Sequence, residues 1–401
     1  MWDPRYVTDA APTISTTKAA RVIELAQADD LVELRQAPFD EKAAWADIAL
    51  VHGPAYVEAV RTGAPRRLAE SQGFTWSPEF AASVARIWSG HLFACCLALR
   101  EGIVFHPVSG AHHARRNSGA GFCTFNFLAG AARDINSEGA GPVAVIDLDA
   151  HPGDGTYALA KDDPRVALFD IAGSTWGCTG DGARFVFHDS ADANAYRAAL
   201  ETLPRFLDKV RPGLVQYQAG MDPFEDDPVG GIDGVTAEFL AWRDRYVLDQ
   251  LRARGIPVVV NLAGGYITEV TARLHVQTLR AAVESEREGA PPGTRSGSAR
   301  REAPVGGVAA GAARRRADLD RPVGVAAHRA ARRHRAAQSD RLVAQERLHE
   351  DADARRRIGG GARQAPANRR AERGDVQQER AASRTPDELR ALHLDGDVDG
   401  R

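Results

Sequence analysis

Five short apolar runs alternate with amphipathic helical stretches before residue 284, and this alternation constrains the fold more than any other feature. Near-continuous apolar runs are typical of strands buried on both faces of a parallel sheet. Strands alternating with helices predict an α/β protein with three layers, α/β/α, around a central, mostly parallel sheet. The runs cover residues 102–108, 142–149, 166–171, 214–218 and 257–262, and the helical stretches include residues 78–100, 191–210 and 236–254.

The aromatic residues stop abruptly at one point in the chain. No Phe, Trp or Tyr follows Tyr266, and from about Glu284 onward Arg, Ala and Gly dominate. A segment with no aromatic and few branched aliphatic residues cannot bury enough surface to offset its ordering entropy. We therefore expect one folded domain over residues 1–284 and a disordered tail over residues 285–401.

Three interpretations of this tail stay open. A reading-frame shift near residue 285 in a GC-rich gene would give such a bias toward Arg, Ala and Gly, and we favour it. The tail is otherwise a solvated segment without a role. The interpretation that we favour least is a basic arm that binds an acidic surface, so we expect no nucleic-acid partner.

Composition places few limits on the other partners. The net charge of −3 indicates neither a strongly acidic nor a strongly basic ligand. The four cysteines form no CxxC pair, which predicts reduced thiols in a cytoplasmic protein. We find no signal peptide and no apolar run of about 18 residues, so we expect no membrane partner. The sequence leaves a homo-oligomer open.

The second apolar run ends in two carboxylates and an imidazole, which belong to Asp147, Asp149 and His151. In an open α/β sheet, ligands bind in the crevice beyond the carboxyl ends of the strands. Asp149 and His151 are two residues apart, so an extended backbone points both in one direction. An oxygen and a nitrogen ligand facing one point suit zinc. The alternative interpretation is a helix N-cap Asp beside a surface His.

Further reactive side chains follow three of the other runs. His112 and His113 come after the first run, Asp222 after the fourth and Tyr266 after the fifth. Two acids and one His from separate strand ends complete a three-ligand zinc site with one position open for water. A His pair supplies acid–base chemistry, and a Tyr supplies a donor for a developing oxyanion. Together these groups predict a catalytic metal site at one edge of the sheet.

Short motifs then follow one another in a characteristic order between about residues 40 and 280. They are His52-Gly53-Pro54-Ala55-Tyr56-Val57, Gly110-Ala111-His112-His113, Gly121-Phe122-Cys123-Thr124-Phe125-Asn126, Asp147-Leu148-Asp149-Ala150-His151-Pro152-Gly153-Asp154-Gly155-Thr156, Gly220-Met221-Asp222, Asp227-Pro228-Val229-Gly230-Gly231 and Gly264-Gly265-Tyr266. This order resembles the zinc-dependent histone deacetylase superfamily, and it looks most similar to the bacterial deacetylase-like amidohydrolases. The resemblance implies an arginase/deacetylase-like fold.

The resemblance also implies an activity and a cofactor. The expected reaction is the removal of acetyl groups from acetyl-lysine or related acetylated amines, on an acetylated protein or a small-molecule amine. Carried over residue by residue, Asp149, His151 and Asp222 match the ligands of one zinc ion per chain. Tyr266 matches the residue that donates to the tetrahedral oxyanion.

The proton-moving groups are implied in the same way. His112 and His113 match the tandem pair of the family, in which one ring is a general base and the other an acid for the leaving amine. Asp147 and Asp154 match the carboxylates behind these imidazoles, which orient each ring and raise its basicity.

Two aromatic residues match the walls that flank an extended acyl-lysine stem. These are Phe122, with Gly121 beside it, and Trp176, while core packing is the alternative interpretation for Phe122. Trp176 is larger than the usual Phe, which could narrow the pocket and change its tolerance for acyl chains. Pro152 replaces a second His that commonly follows the ligand His, at a position that we do not assign to the metal.

The third strand departs from the family at its end. Asp170 and Ala172 stand where many relatives carry Ser and His. In the family this strand helps to hold a structural potassium ion (K⁺). The resemblance therefore implies such an ion here, but with an altered ligand set.

Three alternative functions stay open at this point. A ureohydrolase of the arginase type would need an acid two residues after His151, and Gly153 stands there. A non-catalytic pseudoenzyme that binds acetylated ligands would need a lost ligand, His or Tyr, and none is lost. An acetylpolyamine amidohydrolase fits the same motifs, because the rim loops that select the substrate cannot be interpreted from sequence.

Overall fold

The computed structural model describes residues 1–8, 14–137 and 141–289. All of them lie in the first of two units, Met1–Val343, and the second unit, Ala344–Arg401, lies outside the described residues. The predicted tail over residues 285–401 therefore lies almost wholly outside them and stays a prediction. Its expected start falls within the last described helix, which ends at Gly289.

Six strands form one central sheet in the described part of the chain. They are β1 (Ile103–His106), β2 (Val143–Asp147), β3 (Val166–Ala172), β4 (Phe185–Asp189), β5 (Leu214–Gln218) and β6 (Val258–Asn261). Their order across the sheet is β1-β6-β5-β2-β3-β4, and every pairing between these strands is parallel. The predicted α/β architecture is confirmed.

Strand β4 is the one element of the sheet that the apolar runs do not predict. Its sequence, Phe185-Val186-Phe187-His188-Asp189, is only partly buried, because β4 lies at the edge of the sheet and pairs with β3 alone. An edge strand needs no continuous apolar run, so its signal in the sequence is weak.

Helices cover both faces of the sheet, and β2 illustrates why its run is apolar throughout. Val143 and Val145 pack into one hydrophobic core, whereas Ala144 and Ile146 pack into a second core on the opposite face. Successive side chains of a strand point to opposite faces, so a strand between two helix layers must be apolar at every position. The result is the predicted three-layer arrangement.

Five of the described α-helices precede β1, and the others lie between or after the strands, except that β4 follows β3 directly. The described α-helices are α1 (Ile14–Ala28), α2 (Glu41–Ile48), α3 (Pro54–Thr62), α4 (Arg66–Ala69), α5 (Pro78–Glu101), α6 (Phe127–Ser137), α7 (Asp154–Ala160), α8 (Ala193–Leu200), α9 (Leu203–Val210), α10 (Ala237–Ala253) and α11 (Thr268–Gly289). The single helix predicted over residues 191–210 is divided into α8 and α9. Pro204 lies in the first turn of α9, where its missing N–H is tolerated, and it could not continue α8.

Helix α5 is long and apolar enough to cross a membrane by length and composition alone. Half of its most apolar window is buried inside the protein, and its buried side chains include Trp88, His91 and Leu92. The apolar face of α5 contributes to the hydrophobic core beside β1 and α6. Core packing therefore accounts for its composition, and the expectation of no membrane partner stays a prediction.

The chain can be shortened to test the predicted tail. We expect that ending it after Gly289 leaves the unfolding midpoint unchanged, because that cut keeps α11 whole. Ending it after Glu284 instead removes the buried Ser285, whose hydroxyl donates to Asp249 Oδ1 at 2.9 Å and accepts from Arg252 Nε at 3.0 Å. Loss of such buried hydrogen bonds costs about 1–3 kcal/mol. Thermal unfolding of both shortened chains checks this, and a lower midpoint for the chain that ends at Gly289 than for the full chain would contradict the prediction that the tail does not pack on the folded domain.

Candidate active site

The three expected metal ligands meet at the carboxyl edge of the sheet. Asp149 and His151 follow β2, and Asp222 follows β5, the neighbour of β2 in the sheet. One ligand atom from each residue lies within 4.8 Å of the other two. His151 Nδ1 is 3.1 Å from Asp149 Oδ1 and 3.0 Å from Asp222 Oδ2. One residue that is distant in sequence, Asp222, is thus brought to the two ligands that follow β2.

The charges at this triad fit a divalent cation. Asp149 and Asp222 are buried, and burial together with the charge of Asp149 raises the pKa of the Asp222 carboxyl to about 7. Burial disfavours the imidazolium of His151, but the two carboxylates outweigh it and raise its pKa to about 11. A cation with oxygen and nitrogen ligands would neutralise the paired carboxylates. Zinc binds both carboxylate oxygens and imidazole nitrogens, and its catalytic sites have three protein ligands.

A glycine in the loop after β6 closes the back of the triad. Gly264 N donates to Asp149 Oδ2 at 2.6 Å. A Cβ at this position would come within 2.4 Å of Asp222 Oδ2 and 2.6 Å of Asp149 Oδ2. Only a glycine therefore lets the backbone approach both carboxylates, which explains the first glycine of the pair before Tyr266.

Each of the tandem histidines contacts its own carboxylate through Nδ1, as the family resemblance implies. His112 Nδ1 is 3.0 Å from Asp147 Oδ2, and His113 Nδ1 is 2.7 Å from Asp154 Oδ1. The two ring centroids are 4.0 Å apart. His112 Nε2 lies 3.9 Å from Asp149 Oδ1, so this ring reaches the metal triad.

The two imidazoles differ in charge although they are adjacent. Burial disfavours the charged form of His112, but Asp147 and Asp149 outweigh it and raise its pKa to about 10. Burial and the positive charge of His112 lower the pKa of His113 to about 4, against the opposing effect of Asp154. At neutral pH the pair therefore holds one proton donor and one proton acceptor.

Tyr266 is held beside the same carboxylates. Its backbone N–H donates to Asp227 Oδ2 at 2.8 Å, and Asp227 Oδ1 accepts from the N–H groups of Val229 and Gly230. Burial and the charges of Asp222 and Asp149 raise the pKa of the Tyr266 phenol. The hydroxyl is therefore protonated at neutral pH and can donate a hydrogen bond.

The two expected aromatic walls lie next to these groups. The Trp176 ring stacks on His113 with centroids 5.3 Å apart, and the Phe122 ring lies 6.3 Å from that of Tyr266. Trp176 is 55% exposed and Phe122 is 38% exposed. Both rings therefore combine a contact with a reactive side chain and a surface open to solvent.

Backbone strain is concentrated around the site. Among the described non-glycine residues with a left-handed backbone, Ala111, Phe122, Trp176 and Ala263 all belong to loops that carry site residues. Each such residue costs of order 1–3 kcal/mol and persists only where its surroundings enforce it. Gly121 has a φ of +50°, and a Cβ there would come within 2.4 Å of the His113 ring. Only a glycine at position 121 therefore lets this loop approach the His113 ring and carry Phe122 next to Tyr266.

A buried lysine beneath the Tyr266 loop is absent from the sequence-based prediction. Lys18 of α1 is completely buried, and its Nζ donates to the carbonyl oxygens of Ala263 at 2.5 Å and of Gly264 at 2.7 Å. A third carbonyl, that of Gly265, lies at 3.3 Å. A single lysine in an amphipathic helix carries no signal that distinguishes it from a surface residue.

We predict that Lys18→Met keeps the metal but slows turnover. Burying carbonyl oxygens without a donor costs about 1–3 kcal/mol, and here that cost falls on the loop that carries Tyr266. We expect kcat to fall roughly 10-fold, because a cost of about 1.4 kcal/mol, within that range, corresponds to about a factor of ten. Metal content and kcat are measured beside the exposed control Lys42→Met. An unchanged kcat in Lys18→Met would contradict this role.

Comparison with known proteins shows what this chain is similar to. The model of the histone deacetylase domain matches residues 13–282. The chain is 33% identical over 234 residues to an uncharacterized protein of Picosynechococcus sp., covering 57% of this chain and 77% of the relative. It is 29% identical over 270 residues to a probable deacetylase of Methanothermobacter thermautotrophicus, covering 62% and 80%. The solved acetylpolyamine aminohydrolase from Burkholderia pseudomallei matches with a TM-score of 0.60 at 19% identity, covering 70% of this chain and 97% of that one, which shows the shared fold.

Proposed function

This chain belongs to the histone deacetylase family, and from that premise we propose that it is a zinc-dependent amidohydrolase that removes acetyl groups from acetylated amines. The observation that carries the proposal is the convergence of three kinds of group at one edge of the sheet. They are the triad of possible ligands, the histidine pair on its carboxylates and the protonated phenol of Tyr266.

The ligands of the zinc ion would be Asp149, His151 and Asp222, whose donor atoms fit it in type and spacing. When bound, zinc supplies a Lewis acid and lowers the pKa of water. Two of the three ligands are carboxylates, whose charge a bound cation would balance, and Gly264 N fixes one oxygen of Asp149. The protein's own contribution is this rigid, partly buried cradle.

His113 is the proposed general base, because its lowered pKa leaves it neutral at pH 7. His112 stays protonated beside Asp147 and Asp149, so it can stabilise negative charge and donate its own proton to the leaving amine. The Asp154 carboxylate at 2.7 Å fixes the ring orientation of His113. General acid–base catalysis of this kind contributes about 10²–10⁴-fold to rates.

Tyr266 is the proposed donor to the acetamide oxygen as negative charge develops on it. Its phenol keeps its proton because burial and nearby carboxylates raise its pKa. Asp227 holds the Tyr266 backbone, and the Lys18 ammonium holds the loop before it. A donor fixed in advance does not have to reorganise when charge appears, which is why such donors are effective.

The substrate is proposed to be an acyl-lysine or a similar extended amine. The exposed faces of Phe122 and Trp176 fit a slender aliphatic stem between the solvent and the triad. Two substrate classes match this shape, acetylated protein lysines and acetylated polyamines. The family name supports the first and the fold relative, an acetylpolyamine aminohydrolase, supports the second.

A non-catalytic role in binding acetylated ligands is the second candidate. It would be favoured by a missing ligand, histidine or tyrosine, but each of these groups is present at the site. We therefore keep the enzyme as the proposed function.

A structural potassium ion is proposed at the end of β3. The buried Asp170 accepts from Gly153 N at 2.7 Å through Oδ2, while its Oδ1 has no hydrogen-bond partner among the described residues. A buried carboxylate oxygen without a donor is costly unless a cation or proton satisfies it, so Asp170 fits a cation in place of the usual Ser. We expect K⁺ to raise the unfolding midpoint of the parent more than that of Asp170→Asn, relative to choline at equal ionic strength. Equal responses to both salts would contradict the site.

Turnover of a substrate panel tests the proposed function. The panel pairs acetyl-lysine peptides with acetylated polyamines, and released acetate is measured for each. Hydrolysis of either class supports the proposal, and the ratio of kcat/KM values identifies the preferred class. A zinc-loaded protein that binds members of the panel without hydrolysing them would favour the pseudoenzyme.

A further inference from the structure

A fully buried arginine contacts the two chain segments that carry the metal triad. Arg243 of α10 has no exposed surface, and its Nε donates to Asp244 Oδ1 at 2.8 Å. Asp244 also accepts from the hydroxyl groups of Tyr217 and Thr278, each at 2.5 Å. The charge of the guanidinium is therefore balanced, and its remaining donors are directed elsewhere.

Those donors reach the two segments that carry the triad. Arg243 Nη1 donates to the carbonyl oxygen of Leu148 at 3.1 Å and to that of Gly220 at 2.7 Å. Leu148 immediately precedes Asp149, and Gly220 lies two residues before Asp222. One nitrogen atom thus bridges the ligand segment after β2 and the ligand segment after β5.

The two hydrogen bonds from Arg243 Nη1 lie just beyond the point where the hydrogen bonds between β2 and β5 end. The pairing of β2 with β5 ends at Asp147 and Gln218, followed by one last bond from Leu148 N to the Gln218 carbonyl. Buried carbonyl oxygens need a donor. Arg243 donates to both segments at the point where they leave the sheet, and the Tyr196 hydroxyl also donates to the Leu148 carbonyl, at 3.2 Å.

The distance between the two segments matters for the triad itself. Ala150 N donates to Asp222 Oδ1 at 3.1 Å, so the backbone of the segment after β2 orients the carboxylate of the segment after β5. His151 Nδ1 lies within 3.1 Å of oxygens from both segments. A shift of one segment against the other would therefore separate the ligand atoms.

We propose that Arg243 is a positioning residue that sets the separation of the two ligand segments and thereby the affinity for the metal. The inference rests on the proposed function, because it assigns Arg243 to the same metal site. It differs from a general packing role, since the guanidinium contacts the ligand segments through directed hydrogen bonds and leaves the ligands themselves untouched. Removing partners that orient metal ligands typically weakens binding about 10–100-fold.

Two variants separate the effect of the hydrogen bonds to the carbonyl oxygens from the effect of the buried charge. Arg243→Lys keeps the positive charge beside Asp244 but loses the planar fork that holds two carbonyls and a carboxylate at once. The double variant Arg243→Gln with Asp244→Asn removes both charges, so it leaves no unpaired ion buried. It keeps the test possible if Arg243→Lys folds poorly. Thr278→Val is the matched control, because it removes a bond to Asp244 and none to the ligand segments.

Zinc affinity by competition with a chelator is the first readout, measured with kcat and KM on an acetyl-lysine reporter. We expect both Arg243 variants to bind zinc about 10–100-fold more weakly. At limiting zinc, the apparent kcat should therefore fall, while KM should change less. Thr278→Val should lower the unfolding midpoint while keeping the parent's zinc affinity. Parent-like zinc affinity in both Arg243 variants, or an equal loss in Thr278→Val, would overturn the inference.

Hydrogen exchange in the metal-free protein separates this inference from the proposed function. Peptides that cover residues 148–151 and 220–222 should exchange faster in the Arg243 variants than in the parent and the control. A parent that binds no zinc or hydrolyses no acetamide contradicts the proposed function, and the exchange comparison still decides the inference. Unchanged exchange in both segments would overturn it.

Discussion

Replacing Tyr266 with phenylalanine is expected to leave zinc bound and to slow turnover about 10²–10³-fold, the usual effect of losing one oxyanion donor. The change removes only the hydroxyl, so the ring can keep its place near Phe122 and the backbone N–H can still donate to Asp227. Neither contact involves the triad of Asp149, His151 and Asp222. The metal and the substrate's binding energy should therefore be little affected.

The measurement is kcat and KM for Tyr266→Phe at full metal occupancy. Tyr246→Phe is the matched control, because Tyr246 is a partly buried tyrosine of α10 whose ring stacks on Trp242. We expect parent-like kinetics in the control and a loss confined to kcat in Tyr266→Phe. Near-parental turnover would mean that the phenol does not donate to the reacting oxygen.

Replacing Asp222 with alanine is expected to abolish both metal binding and turnover. Asp222 is the one candidate ligand that β5 supplies, and its two oxygens contact His151 Nδ1 and Ala150 N. Without it, two candidate ligands remain, fewer than the three protein ligands of a catalytic zinc site. Loss of activity should therefore follow loss of the metal, and excess zinc should restore little of it.

Metal content after dialysis and turnover of the same sample test this expectation. Asp226→Ala is the control, because Asp226 belongs to the following loop, carries the same charge and is exposed. It should keep both metal and rate. An Asp222→Ala protein with full zinc occupancy would remove this residue from the set of ligands.

Several parts of the fold and site follow from local sequence signals. Runs such as residues 143–147 predict the buried parallel strands, since strands covered on both faces are apolar at every position. The groups proposed for catalysis, including His112, Asp149 and Tyr266, are visible because each follows the carboxyl end of such a strand. Their convergence then follows from the parallel topology.

Other parts depend on contacts that no local pattern records. Lys18 and Arg243 look like ordinary helical cations, yet both are fully buried because distant main-chain carbonyls accept their hydrogen bonds. The left-handed backbones of Phe122 and Trp176 are equally unreadable, because aromatic residues rarely adopt them. Strand β4 is not predicted from the sequence, because an edge strand needs no continuous apolar run. Tertiary structure, rather than propensity, determines these features.

Removal and restoration of zinc test the central claim most directly. The parent chain is stripped with a chelator, its acetate release from the acetyl-lysine and acetylpolyamine panel is measured, and one equivalent of zinc is then added. We predict no turnover in the stripped protein and recovery at about one zinc per chain, with no recovery in Asp222→Ala. Turnover that persists without metal, or a chain that binds zinc and hydrolyses none of the panel, would contradict a zinc-dependent deacetylase.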